Sequence, residues 1–193
     1  MNDTKYYGVA QLRALQNDSE EMVLEGYAIK FNEPTQPKFK ELYGYDEIIS
    51  ERALDDVDLS DVPLKYNHSN EKVLLARTRG GTLQLNIDEI GLKIRALLNR
   101  NIPDHVSVYE AVRSGLLDKM SFGFFADETF NCYDSKNRSI TINKITQLTD
   151  VSVVDIPAYN STEIYARNLE NLNNMKNKEL ELRKRKLEIE LSL

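Results

Sequence analysis

Apolar residues in the first 167 positions fall in short runs or at alternate positions, which is the signature of strands rather than helices. Residues 22–31 and 62–66 are short and apolar-rich. Three further runs, 73–78, 82–88 and 91–98, are punctuated by Gly80-Gly81 and by Asp88-Glu89-Ile90-Gly91, so this region reads as a meander. Within it Leu83, Leu85 and Ile87 alternate with polar residues, the period of a half-buried strand. Only one helix is well marked. Ile102, Val106, Tyr109 and Val112 recur at helical intervals, Pro103 suits a first turn, and Gly115 is placed to end the helix as a left-handed cap. A strand is expected over 119–130, then a turn through Asp134-Ser135-Lys136-Asn137, then a long strand within 140–155 closed by Pro157. Many short antiparallel strands with one or two helices predict a mainly-β or α+β fold, a barrel or a sandwich.

Composition changes this picture at one place. Near Asn168 the Gly, Pro and aromatic residues give out, and Leu, Asn, Lys, Arg and Glu take over. Residues 168–193 favour helix by composition, but the apolar spacing is irregular: Leu169, Leu172 and Met175 step by three, Leu187, Ile189, Leu191 and Leu193 by two. The expectation is a domain at 1–167 and a charged extension at 168–193, helical or partly disordered.

Charge and rare residues then exclude several classes of function. The chain has 193 residues, with 25 basic against 31 acidic, a net charge of −6. An acidic chain is poorly suited to gripping a phosphate backbone, so nucleic acid is not an expected partner. Cys132 is the one cysteine, and His68 and His105 are the two histidines. No intrachain disulfide framework or Cys-rich zinc site can be built, a His-dominated metal site is disfavoured, and no cofactor is expected. The first residues lack the basic-then-apolar pattern of a secretory signal, and the apolar stretches are too short to span a bilayer. The expectation is a soluble protein of a reducing compartment, without a membrane partner.

Three segments could carry chemistry. His68 follows Val62-Pro63-Leu64-Lys65-Tyr66 at an expected strand end, beside Asn67 and Asn70. Taken alone it reads as a surface-turn histidine, although an imidazole near neutrality can accept and return a proton. His105, in the first turn of the helix, reads as structural. Ser121 lies in Met120-Ser121-Phe122-Gly123-Phe124-Phe125, and Gly123 shares its face of the strand, leaving room near the hydroxyl. A glycine inside a strand also suggests a bulge or a close backbone approach. Asp150 interrupts a β-branched run, Thr149-Asp150-Val151-Ser152-Val153-Val154. It reads either as a charge discouraging edge pairing or as the group that orients an imidazole. A serine needs a base, and the base needs an orienting group. Most chains of this length could supply all three residue types, so spacing alone leaves a triad open; the absence of G-x-S-x-G counts against an α/β-hydrolase.

Taken in order, the motifs say more. They are Gly26-Tyr27-Ala28 with Phe31; Leu64-Lys65-Tyr66-Asn67-His68; Gly81-Thr82-Leu83 leading to Gly91-Leu92; Arg113-Ser114-Gly115 before Met120-Ser121-Phe122-Gly123-Phe124; and Asp150-Val151-Ser152-Val153-Val154 before Pro157-Ala158-Tyr159. This ordered set, over about residues 5–167, resembles the prohead (procapsid maturation) proteases of tailed bacteriophages, distant relatives of the herpesvirus assemblins. The resemblance implies an assemblin-like antiparallel β-barrel flanked by a few helices, and serine endopeptidase activity. By position it makes Ser121 the nucleophile and His68 the general base. It puts Asp150 where the family usually has an acidic residue, often Glu. Backbone amides near Pro157-Ala158-Tyr159 are candidate oxyanion donors by the same analogy. The implied partners are the major capsid protein with its scaffold segment, and the protease itself through autoproteolysis, in the host cytoplasm inside the assembling procapsid; a homo-oligomer is also compatible. Three alternatives remain: a catalytically silent scaffolding or assembly protein on the same barrel, a cysteine peptidase built on Cys132 and His68, and a barrel that binds ligand or single-stranded nucleic acid.

Overall fold

The computed structural model describes residues 6–16, 21–34, 40–41, 44–156 and 167–168. Strand is the commonest state among them. The strands in chain order are β1 (Tyr6–Gln16), β2 (Met22–Lys30), β3 (Asp46–Ile49), β4 (Pro63–Tyr66), β5 (Ala76–Arg77), β6 (Leu83–Ile87), β7 (Gly91–Leu98), β8 (Lys119–Ala126), β9 (Cys132–Asp134), β10 (Ser139–Ile142), β11 (Ile145–Val154) and β12 (Arg167–Asn168). The helix α1 (Pro103–Arg113) lies between β7 and β8. The large sheet runs β5-β4-β11-β8-β1-β2-β7-β6, with β12 added to β1; a small sheet runs β3-β10-β9.

The length of β1 explains how one sheet holds so many strands. Its first half, Tyr6 to Gln11, pairs with β8, and its second half, Leu12 to Gln16, pairs with β2. One face of the sheet is a continuous apolar core that includes Leu24, Ile29, Leu64, Ile94, Phe122, Phe124, Val151 and Val153, all at most 1% exposed. Phe122 and Phe124 stack with their ring centroids 5.3 Å apart. The helix α1 packs on β1, β2 and β7 through His105, Val108, Tyr109 and Val112. It ends as the sequence predicts. Gly115 has φ +77°, and the N–H groups of Gly115 and Leu116 donate to the carbonyls of Val112 and Ala111, the paired bonds of a Schellman motif.

The mainly-β, α+β class therefore holds, but the sheet does not close into a barrel. β5 and β6 are its two ends. Residues 78–82 connect them, and the Arg77 N–H donates to Thr82 Oγ1 at 3.0 Å, yet β5 and β6 share no ladder. The expected meander accordingly comes apart: β6 and β7 pair, whereas β5 joins β4 at the opposite end of the sheet. Nor is the fold purely antiparallel, because β4 runs parallel to β11 and β10 parallel to β3. The long strand expected within 140–155 is two strands in different sheets, β10 and β11, divided at Asn143-Lys144. The strand from Lys119 stops at Ala126 and is followed by a 3-10 turn, Glu128–Phe130. One α-helix is described over its full length rather than several. No helix among the described residues is long and apolar enough to cross a membrane. Pro157 and positions 169–193, hence nearly all of the charged extension, lie outside the described residues.

Candidate active site

Three adjacent strands, β4, β11 and β8, carry the side chains of interest. β4 ends in a tight turn, Tyr66-Asn67-His68-Ser69, closed by the Ser69 N–H donating to the Tyr66 carbonyl at 3.0 Å. Both central residues are left-handed, Asn67 at φ 50° and His68 at φ 53°, which defines a type I′ turn. Asn enters that region readily; for His the conformation costs about 1–2 kcal/mol. Neighbouring strands hold the turn in place. The Asn67 N–H donates to the Val153 carbonyl at 2.8 Å, Asn67 Oδ1 accepts from the Asp155 N–H at 3.1 Å, and the His68 N–H donates to Ser152 Oγ at 3.2 Å.

Ser121 sits on β8, opposite Ser152 of β11. Register then decides which β11 residues share its face. Leu148 pairs with Phe124 and Asp150 with Gly123, so Thr149 is an extra residue at a β-bulge. After the bulge Val151 lies opposite Phe122 and Ser152 opposite Ser121. Leu148, Val151 and Val153 therefore line the core, while Asp150 and Ser152 join Ser121 and Gly123 on the other face. Without Thr149 in the bulge, continued pairing would put Asp150 opposite Phe122, against the apolar core. Gly123 is thus the residue across from both the bulge and the carboxylate.

The result is a chain of short contacts. His68 Nε2 is 2.7 Å from Ser121 Oγ, and His68 Nδ1 is 2.5 Å from Asp150 Oδ1. With its Nδ1–H donated to the carboxylate, the ring leaves Nε2 as a lone pair facing the Ser121 hydroxyl. Asp150 is fully buried and also accepts the Thr149 hydroxyl on Oδ2 at 3.1 Å and the Ser152 hydroxyl on Oδ1 at 2.9 Å. Burial pushes the Asp150 carboxyl up. The His68 hydrogen bond and charge, the Ser152 hydroxyl and the Lys65 charge outweigh it together and hold the carboxyl at about 2. The His68 side chain keeps 18% of its surface exposed, so the cluster grades from a sealed carboxylate to a partly open imidazole.

The structure therefore brings His68, Ser121 and Asp150 together, although 82 residues separate His68 from Asp150 and 53 separate it from Ser121. His105 lies elsewhere. It is buried, its Nδ1 accepts the Asn99 N–H at 3.1 Å, and its Nε2 donates to the Leu74 carbonyl at 2.9 Å. Cys132 is exposed on β9 of the small sheet, where the Asn143 amide reaches its sulfur at 3.5 Å, while His68 already holds Ser121 and Asp150. Pro157-Ala158-Tyr159, the suggested oxyanion segment, falls outside the described residues. A cavity of about 450 Å³, bordered by Met22, Thr82, Leu97 and Arg100, lies at the β2–β7 end and includes none of the three residues. Sequence reasoning passed over Ser152, and the bulge it suggested at Gly123 lies across the ladder, at Thr149 of β11. The available signal was Ser152 itself, a hydroxyl two positions from Asp150 in an otherwise β-branched run.

A model of the caudovirus prohead serine protease family matches residues 9–178. No curated protein and no solved structure matches the chain.

Proposed function

Since the chain belongs to the caudovirus prohead serine protease family, and is accordingly a serine endopeptidase, we propose that Ser121 is its nucleophile, His68 its general base and Asp150 the group that orients His68. The observation that carries this assignment is the unbroken contact chain Ser121 Oγ–His68 Nε2 and His68 Nδ1–Asp150 Oδ1, at 2.7 and 2.5 Å.

In this mechanism Ser121 Oγ attacks the scissile carbonyl as His68 Nε2 takes its proton. Asp150, ionised and buried, keeps the remaining ring proton on Nδ1 and stabilises the imidazolium that forms. His68 then protonates the leaving amine, and water enters with the same ring as base to hydrolyse the acyl-enzyme. A donor aimed at the tetrahedral oxyanion contributes on the order of 3–4 kcal/mol in a well-studied serine protease. By the family resemblance, the candidate donors are backbone amides near Pro157-Ala158-Tyr159. Asp in place of the commoner Glu is compatible with the role, because the bulge at Thr149 and the turn at His68 bring the shorter side chain into contact.

A prohead protease works on capsid proteins within the assembling procapsid. Our finer reading is that this enzyme removes the scaffold segment of the major capsid protein and cleaves itself, in the cytoplasm of the bacterial host. The small shell volume raises the effective concentration of enzyme and substrate. Residues 1–167 would form the protease domain. Residues 168–193, with six basic and five acidic side chains, would dock the enzyme on scaffold and later be clipped. The catalytically silent alternative loses its ground with membership of a peptidase family.

Co-expression with the matching capsid protein, native against Ser121→Ala, tests the assignment by intact-mass analysis. The variant is expected to leave both the capsid protein and itself at full mass while folding normally. Cleavage that persists in Ser121→Ala rules out Ser121 as the nucleophile.

A further inference from the structure

We infer that Ser152 is a positioning residue of this site, holding both the carboxylate and the backbone of the imidazole in register; the inference rests on the assignment of Ser121, His68 and Asp150 above. Ser152 Oγ makes three contacts, and all of them go to the residues proposed to work with Ser121. It donates to Asp150 Oδ1 at 2.9 Å, accepts the His68 N–H at 3.2 Å, and lies 3.3 Å from His68 Nδ1. The one proton of the hydroxyl goes to the carboxylate and a lone pair takes the His68 N–H, so both its donor and its acceptor function are spent on these two residues.

Geometry separates its role from that of Ser121. The two serines face each other across the β8–β11 ladder and reach opposite nitrogens of one ring. Ser121 approaches Nε2, the nitrogen left free by the carboxylate. Ser152 is fully buried, and its proton lies on Asp150. It is therefore no nucleophile. What it supplies is restraint: His68 sits in a left-handed conformation that favours relaxation, and Ser152 is the side chain that accepts its N–H. The same oxygen fixes the carboxylate oxygen that orients the ring. Losing it would leave the His68 N–H without that acceptor and allow both the turn and the carboxylate to rotate. A misplacement of about 1 Å at a reacting group costs about 10²-fold in rate.

The test uses the full chain and a fluorophosphonate probe, which reports on serine activation without knowledge of the natural cleavage site. Ser152→Ala is expected to lower the maximal labelling rate about 10- to 100-fold, with the half-saturating probe concentration within about twofold of native. The His68 Nδ1–H proton resonance should shift upfield as its hydrogen bond weakens, and thermal melting should show a folded protein. Ser152→Thr and Ser152→Val have the same shape and differ by the hydroxyl, so they test the idea even where Ser152→Ala fails to fold. Thr is expected to label at least about 10-fold faster than Val. Equal rates in that pair, or an unchanged maximal rate in folded Ser152→Ala, overturn the inference while leaving the Ser121 assignment standing. Labelling that survives in Ser121→Ala instead overturns the assignment beneath it.

Discussion

His105 commits both ring nitrogens to backbone, accepting from Asn99 and donating to Leu74, and so ties the start of α1 to the loop after β4. His68 carries the same ring between a carboxylate and a hydroxyl. The difference lies in the partners rather than the residue, and it makes Asp150 the most informative residue to change. In Asp150→Asn the amide is free to donate to Nδ1, which moves the ring proton to Nε2 and removes the acceptor for the Ser121 hydroxyl. The maximal labelling rate by the fluorophosphonate should fall by up to about 10⁴-fold with the fold retained, as the same exchange does in a well-studied serine protease. The carboxylate also affects stability. Its pKa is about 2 in the fold against 3.8 unfolded, so the ionised form favours the native state. That contribution, about 2 kcal/mol, is fully present above pH 4 and is lost as the pH falls through about 2. Urea unfolding between pH 5 and pH 2, of Ser121→Ala against Ser121→Ala/Asp150→Asn, should show a shallower acid loss in the double variant by that amount.

Two local irregularities do at the element scale what regular strands cannot. The bulge at Thr149 turns Asp150 and Ser152 away from the core, and the I′ turn after β4 folds His68 back over them. Two glycines show how element geometry sets the cost of a side chain. At Gly115 an added Cβ meets nothing within 4 Å, so Gly115→Ala should cost only the left-handed backbone penalty, about 1–2 kcal/mol, and leave labelling kinetics unchanged. At Gly91 the Cβ would lie 1.9 Å from the Ile29 carbonyl oxygen. Gly91→Ala must therefore push β7 away from β2, and we expect a loss above about 3 kcal/mol. Paired thermal melts check both, and similar shifts for the two variants would contradict this account.

Across the whole molecule, Ser121 and Asp150 stand on neighbouring strands of one sheet and His68 in the turn after the next strand, β4, while the opposite face of that sheet is the apolar core. The site therefore depends on global folding as well as local turns. The charged extension is the part whose contribution can be removed cleanly. Deleting residues 169–193 is expected to leave fluorophosphonate labelling near native but to reduce capture of the enzyme in procapsids several-fold, read by the protease content of purified particles; unchanged encapsidation removes the docking role. Much of this was legible from sequence. The places of β2, β4, β6, β7, β8 and α1 follow from short-range apolar periodicity and from residues such as Pro103 and Gly115, whose backbone preferences are local, whereas β1 and β3 were not expected. His68, Ser121 and Asp150 stood out through ordered motifs that a chain carries whether folded or not. Tertiary structure alone decided that β4 lies parallel to β11, that the sheet stays open between β5 and β6, and that Ser152 meets both His68 and Asp150. The physical reason is that strand pairing is a contact between distant segments, and one extra residue in a strand reverses every side chain beyond it, so neither partner nor face can be read from alternation along a single run.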